Sequence, residues 1–148
     1  MNRKGEVSMQ PEVIQTDKAP AAIGPYSQGI AAGPLVFVSG QLGMDPQTGE
    51  LVGDTLESQA KQALDNLSQV LAAAGVELSQ VAAVDVFLTD MDDFLAFNGI
   101  YEGYFSDHKP ARAVVAVKAL PKAACVEIKC VAVRGGSQGE GYTDGTVM

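Results

Sequence analysis

The sequence predicts an α+β fold in which two helices cover one face of a six-stranded mixed sheet. Three observations predict it. Apolar and β-branched residues recur in six short runs bounded by glycine and proline, and two other segments repeat at helical spacing; their order is strand, strand, strand, helix, strand, helix, strand, strand. The third is a shortfall of cover. Six strands at ~4.8 Å span roughly 25–29 Å, and two helices each about 10 Å across can cover that width on one face only. Yet the strands Val81 to Leu88, Arg112 to Leu120 and Ala124 to Val133 carry apolar residues on both faces. The expectation is a homo-oligomer packed sheet against sheet.

Residues 1–12 are polar and read as a flexible N-terminus, with Glu12 to Thr16 a short first strand. Two prolines and two glycines between Ala19 and Gly29 exclude a regular element over most of that stretch, which sets Tyr26 in a loop, either as a pocket wall or packed on the core. Gln28 to Ala32 and Leu35 to Ser39 form a hairpin around Gly33-Pro34. The second strand leads into Ser39 and Gly40, where a glycine beside a hydroxyl lets backbone approach a ligand closely. Met44 to Gly53 is a loop.

Asp54 with Glu57 makes a capping-box pattern, and Leu56, Ala60, Ala63, Leu64, Leu67, Val70, Leu71 and Ala74 repeat as one helical face until Gly75 closes it. Val81 to Leu88 is apolar at nearly every position, as in a strand buried on both sides. Thr89 to Asp93 caps a second helix over about Asp92 to Ser106, on which Phe94, Asn98, Tyr101 and Phe105 form a stripe. Asn98 is a polar amide in an apolar row, and burying it unpartnered costs roughly 1–3 kcal/mol, so it bonds either to backbone or to a ligand.

Ala111 to Leu120 and Ala124 to Val133 flank Pro121-Lys122 and read as a β-hairpin. Alternation puts Arg112, Val114, Ala116 and Lys118 on one face of the first strand, and Cys125, Glu127, Lys129, Val131 and Val133 on one face of the second. One arginine and one glutamate thus stand among small apolar residues. They are either an ion pair at the end of the hairpin or a fixed cation and carboxylate lining a pocket. After Val133 the glycine-rich residues 134–148 have little to bury and read as a flexible tail.

A net charge of −8, ten Lys plus Arg and no basic run make nucleic acid a poor partner. Cys125 and Cys130 stand five apart in one strand, point to opposite faces and cannot bridge each other, which fits a reducing compartment. A single histidine, His108, and no CxxC or HExxH give too few ligands for a zinc site, and His108 reads as a solvated loop residue. The N-terminus has no apolar signal core, and no run approaches the ~18 apolar residues of a membrane span. The expectation is a soluble, cytoplasmic protein.

Five motifs in order, together with the Asn98 helix, resemble the RidA/YjgF family of reactive enamine/imine deaminases: Ile23-Gly-Pro-Tyr-Ser-Gln-Gly29, Val38-Ser-Gly-Gln41, Pro110-Ala-Arg112, Leu120-Pro-Lys122 and Val126-Glu-Ile128, with Asn98 and Tyr101-Glu102 between the second and third. The resemblance covers residues 13–133. It implies a chorismate-mutase-like fold, a homotrimer with pockets at its subunit interfaces, and hydrolysis of 2-aminoacrylate and 2-iminobutanoate to 2-oxo acids and ammonia without metal or cofactor. It also implies that Arg112 anchors the substrate carboxylate, that Glu127 holds the attacking water, and that Tyr26, Ser39, Gly40, Asn98 and Val114 line the pocket. Val114 stands where many relatives have cysteine, a position at which main chain makes the contact. The loop Ser106 to Lys109 is shorter than in many relatives, and the tail lies outside the resemblance. A trimeric binder of 2-oxo acids without turnover is the alternative. An endoribonuclease is disfavoured by the acidic balance and the missing histidine pair, and a chorismate mutase by the lack of a second pocket cation.

Overall fold

The computed structural model describes residues 10–135. The expected flexible segments therefore fall almost wholly outside the described residues. The order is β1 (Glu12–Ile14), β2 (Gly29–Ala32), β3 (Leu35–Gln41), α1 (Leu56–Ala73), β4 (Val81–Leu88), α2 (Phe94–Tyr104), β5 (Ala111–Ala116) and β6 (Val126–Val133). All six strands join one mixed sheet in the order β1-β2-β3-β6-β4-β5. The helices share one face, where Val36, Val38, Val84, Val86, Val126 and Ile128 meet Leu64, Leu67, Val70 and Leu71 of α1 and Phe97 and Tyr101 of α2.

The caps follow from sequence with one shift. The N-cap of α1 is Thr55 rather than Asp54, its hydroxyl accepting from the Ser58 amide at 3.1 Å. Gly75 takes φ +76° after the last turn, and the Val76 amide reaches back to the Leu71 carbonyl at 3.0 Å. Asp90 caps the short turn into α2, accepting from the Asp92 amide at 2.9 Å.

The expected hairpin between the last two strands does not form. β5 lies parallel to β4 at the sheet edge, with Val84 opposite Arg112 and Phe87 opposite Val115, while β6 inserts antiparallel between β3 and β4. The reason is topological: β4, α2 and β5 make a strand–helix–strand crossover, which returns the chain parallel to the strand it left. β5 also stops at Ala116, short of Leu120. The turn at Pro121–Ala123 carries left-handed residues at Lys122 (φ 59°) and Ala123 (φ 56°) instead of folding β5 back on β6.

The face away from the helices is apolar and open. One row crosses the whole sheet through successive pairs, Val13–Ile30–Phe37–Val131–Ala83–Ala111. On this face Val13, Leu35, Phe37, Val115 and Val133 are all more than a third exposed. The shortage of cover anticipated from strand and helix widths is therefore present in the folded chain.

Candidate functional site

The residues singled out in sequence gather in two places. Tyr26, Ser39, Gly40 and Glu127 line a cavity of about 910 Å³, whose other walls include Met44–Glu50 and the Pro121–Lys122 turn. Asn98 and Arg112 line a second cavity of about 350 Å³ with Tyr101, Glu102, Phe105 and Lys109. Val114 lines neither; it packs on the core from the helix side of β5.

The first cavity opens where β3 loses its register with β6, between Val38 and Gln41. At that irregularity Ser39 donates its hydroxyl to the Ser27 carbonyl at 2.6 Å, tying the Tyr26 loop to the strand. Tyr26 is half exposed, a wall residue and not a core plug. Gly40 leaves room for the Glu127 side chain as it stands. A β-carbon there would overlap the Glu127 carboxylate, with the carboxyl carbon 2.8 Å away. Glu127 projects from the open face of β6, and burial alone pushes its carboxyl above its ordinary value of 4.5.

Two amides that sequence reading left without a role tie α1 to the chain beside the first cavity. Gln59 is buried on α1, donating to the Gly53 carbonyl at 2.8 Å and accepting from the Cys125 amide at 2.9 Å. Asn66 donates to the carbonyls of Leu42 and Met44 at 3.1 and 2.9 Å. Both are polar residues at helical spacing inside the apolar stripe, the same signal that marked Asn98. Lys122 was also missed as a wall residue. Its left-handed backbone had no signature in a Pro-Lys-Ala sequence.

The second cavity sits at the β5 edge under α2. The Arg112 guanidinium carbon lies 4.7 Å from the Tyr101 ring centre and 6.0 Å from that of Phe94. Among the described residues the Arg112 side chain has no hydrogen bond or ion pair, so its planar fork is free to receive an anion. Asn98 Oδ1 and the Tyr101 hydroxyl are buried with no partner. The backbone bond expected as one option for Asn98 Oδ1 is thus absent among the described residues.

The ion-pair option for Arg112 and Glu127 is also excluded within the chain. β4 lies between their strands, and the pairings place Arg112 on the helix side and Glu127 on the open side. His108 is exposed, yet it is more than a solvated loop residue: its Nε2 is 2.6 Å from the Val81 carbonyl, which pins the loop before Arg112. Cys125 and Cys130 are both free thiols, and burial pushes Cys130 up to about 12. No group of three or more His, Cys, Asp or Glu among the described residues could hold a metal. No described helix is long and apolar enough to cross a membrane.

A family model described as Endoribonuclease L-PSP matches residues 16–134. A curated relative from Capra hircus, named 2-iminobutanoate/2-iminopropanoate deaminase, is 48% identical over 128 residues, covering 86% of this chain and 93% of that one. Among solved structures, RidA from a Psychrobacter species is 45% identical with a TM-score of 0.80, covering 83% of this chain and 99% of that one. The Escherichia coli YjgF gene product is 42% identical with a TM-score of 0.79, covering 84% and 99%.

Proposed function

The chain belongs to the L-PSP family, alongside the RidA and YjgF proteins, and on that premise we propose that it hydrolyses reactive enamine/imine acids such as 2-aminoacrylate and 2-iminobutanoate to 2-oxo acids and ammonia. The observation that carries this reading is the unpartnered guanidinium of Arg112 lining a small cavity, a fork shaped for one carboxylate. The deaminase name of a relative 48% identical over most of its length supports it.

The chemistry needs few parts. With the substrate carboxylate on Arg112, the adjacent imine carbon is held in one pose. Glu127 accepts a proton from water as its oxygen bonds to that carbon and returns it to nitrogen; the carbon–nitrogen bond then breaks, ammonia leaves, and the hydroxyl oxygen becomes the carbonyl as its remaining proton passes to Glu127 or solvent. A carboxyl raised by burial is better matched to both transfers than an ordinary one. The iminium is already electrophilic, so this route calls for no metal or cofactor. Tyr26, Ser39, Gly40 and Asn98 shape the pocket.

Arg112 and Glu127 occupy opposite faces of one chain, so the working site takes each from a different subunit. Such a contact joins unlike surfaces, and unlike surfaces close into rings. We read the assembly as a homotrimer that buries the Val13–Ala111 row and forms three pockets. Residues 13–133 are its folded domain, and its two free cysteines suit the cytoplasm. RNA cleavage, the activity in the family's description, finds less support: the net charge is −8 and the one histidine is engaged by Val81.

The test is a coupled assay in which a dehydratase generates the imines from serine and threonine. Wild type accelerates 2-oxo acid formation, and Arg112→Ala reduces that by at least about a hundredfold while the oligomer persists, the scale of a lost charged anchor. An unchanged rate in Arg112→Ala removes the anchor from Arg112. No acceleration by an intact wild-type oligomer would leave a binder of 2-oxo acids.

A further inference from the structure

Arg112 stands on an edge strand with a long, flexible side chain and no polar partner among the described residues. A free guanidinium of this kind samples many rotamers, and ordering it on binding costs affinity. The structure nonetheless holds it against an aromatic face, 4.7 Å from the centre of Tyr101. That ring is itself fixed. Tyr101 is 8% exposed, with the Phe97 ring at 5.6 Å and the Phe105 ring at 4.7 Å, each about one turn away on or just past α2. A planar cation laid on a ring presents its N–H edge outward, which is the edge that grips a carboxylate. The Tyr101 hydroxyl has no partner among the described residues, and burial raises its pKa further from neutrality. The platform thus acts through its ring face and not as a counter-ion.

We infer that Tyr101 is a positioning residue for the deamination proposed above: its ring presets the Arg112 guanidinium to receive the substrate carboxylate, and its hydroxyl takes no part. The inference rests on that reading of the site and adds a residue to it. Phe94, at 6.0 Å, is the weaker edge of the same platform.

The experiment uses full-length wild type, Tyr101→Leu, Tyr101→Phe, Arg112→Ala and the Tyr101→Leu/Arg112→Ala double variant. For each, the affinity for 2-oxobutanoate is measured by calorimetry, kcat and KM by the coupled assay, and integrity by melting temperature and oligomer mass. Tyr101→Leu is expected to weaken 2-oxobutanoate binding and raise KM by one common factor of roughly two- to thirtyfold, the range of a cation–ring contact from exposed to desolvated. Tyr101→Phe restores both constants, and in the Arg112→Ala background the leucine costs nothing further. Should Tyr101→Leu fail to fold, Tyr101→Met takes its place with the same expectation. Wild-type affinity in the leucine variant, equal loss in the phenylalanine variant, or an undiminished loss in the Arg112→Ala background would each overturn the inference. A wild type that neither binds nor turns over instead removes the deaminase reading, and this inference falls with it.

Discussion

Glu127 and Arg112 are held by different means. The carboxylate rests against bare backbone at Gly40, inside a cavity whose walls are tied down by Ser39 and Asn66. The guanidinium rests on rings, beside two buried polar atoms that bond to nothing described. Neither cavity contains the other's charge: Arg112 is absent from the walls around Glu127, and burial is what shifts the carboxyl. Two separate charged sites teach more than one crowded site would: if the proposed reaction uses both groups, its reacting unit is larger than the chain.

The largest effect that can break this contrast is a mixing experiment. Arg112→Ala and Glu127→Gln are each expected to be inactive alone. Refolded together in equal amounts they should recover about a quarter of wild-type activity, because in a random ring about one interface in four joins an intact Glu127 half to an intact Arg112 half. No recovery in demonstrably mixed oligomers would mean that both groups act from one chain.

A smaller effect sharpens the Glu127 side. Burial raises the Glu127 carboxyl in its own chain, and the substrate carboxylate offsets the charge that Arg112 brings to the site. Activity should be full above the shifted pKa and lost as pH falls through it, so the acid limb of kcat has its midpoint above 4.5. A midpoint at or below that value would show a cation still acting on the carboxylate.

The smallest expected effect probes the turn beside Glu127. Lys122 and Ala123 both sit at positive φ without being glycine, a conformation that costs roughly 1 kcal/mol or more per residue. Ala123→Gly should stabilise the fold by about 1 kcal/mol in chemical denaturation, less what the freer unfolded chain gives back. The Arg112 half has no such strained residue.

Much of this was legible in the chain. Periodicity placed both helices and all six strands, and alternation correctly grouped Arg112 with Val114 and Glu127 with Lys129. Pairing was not local information. Two strand-like runs around Pro121-Lys122 look like a hairpin to any short-range rule, whereas their true partners are set by α2, which carries β5 back beside β4. For the same reason alternation could show that Arg112 and Glu127 each belong to a face, but not that the faces are opposite. Tyr101 was visible as one member of a stripe; that its ring lies under Arg112 depends on the fold of α2 over the β5 edge. Gln59 and Asn66 could have been found by asking which polar residues interrupt the apolar stripe of α1.

Gln59 bonds at once to Gly53, in the loop that leads into α1, and to Cys125, at the entrance to β6. One buried amide therefore joins a loop and a strand to the same helix, and freeing either strips a partner from the other's anchor. The loop that leads into α1 should not flicker independently of the strand that carries Glu127. In native-state hydrogen exchange the two segments would open as one cooperative unit, giving a loop the slow exchange ordinarily reserved for a sheet.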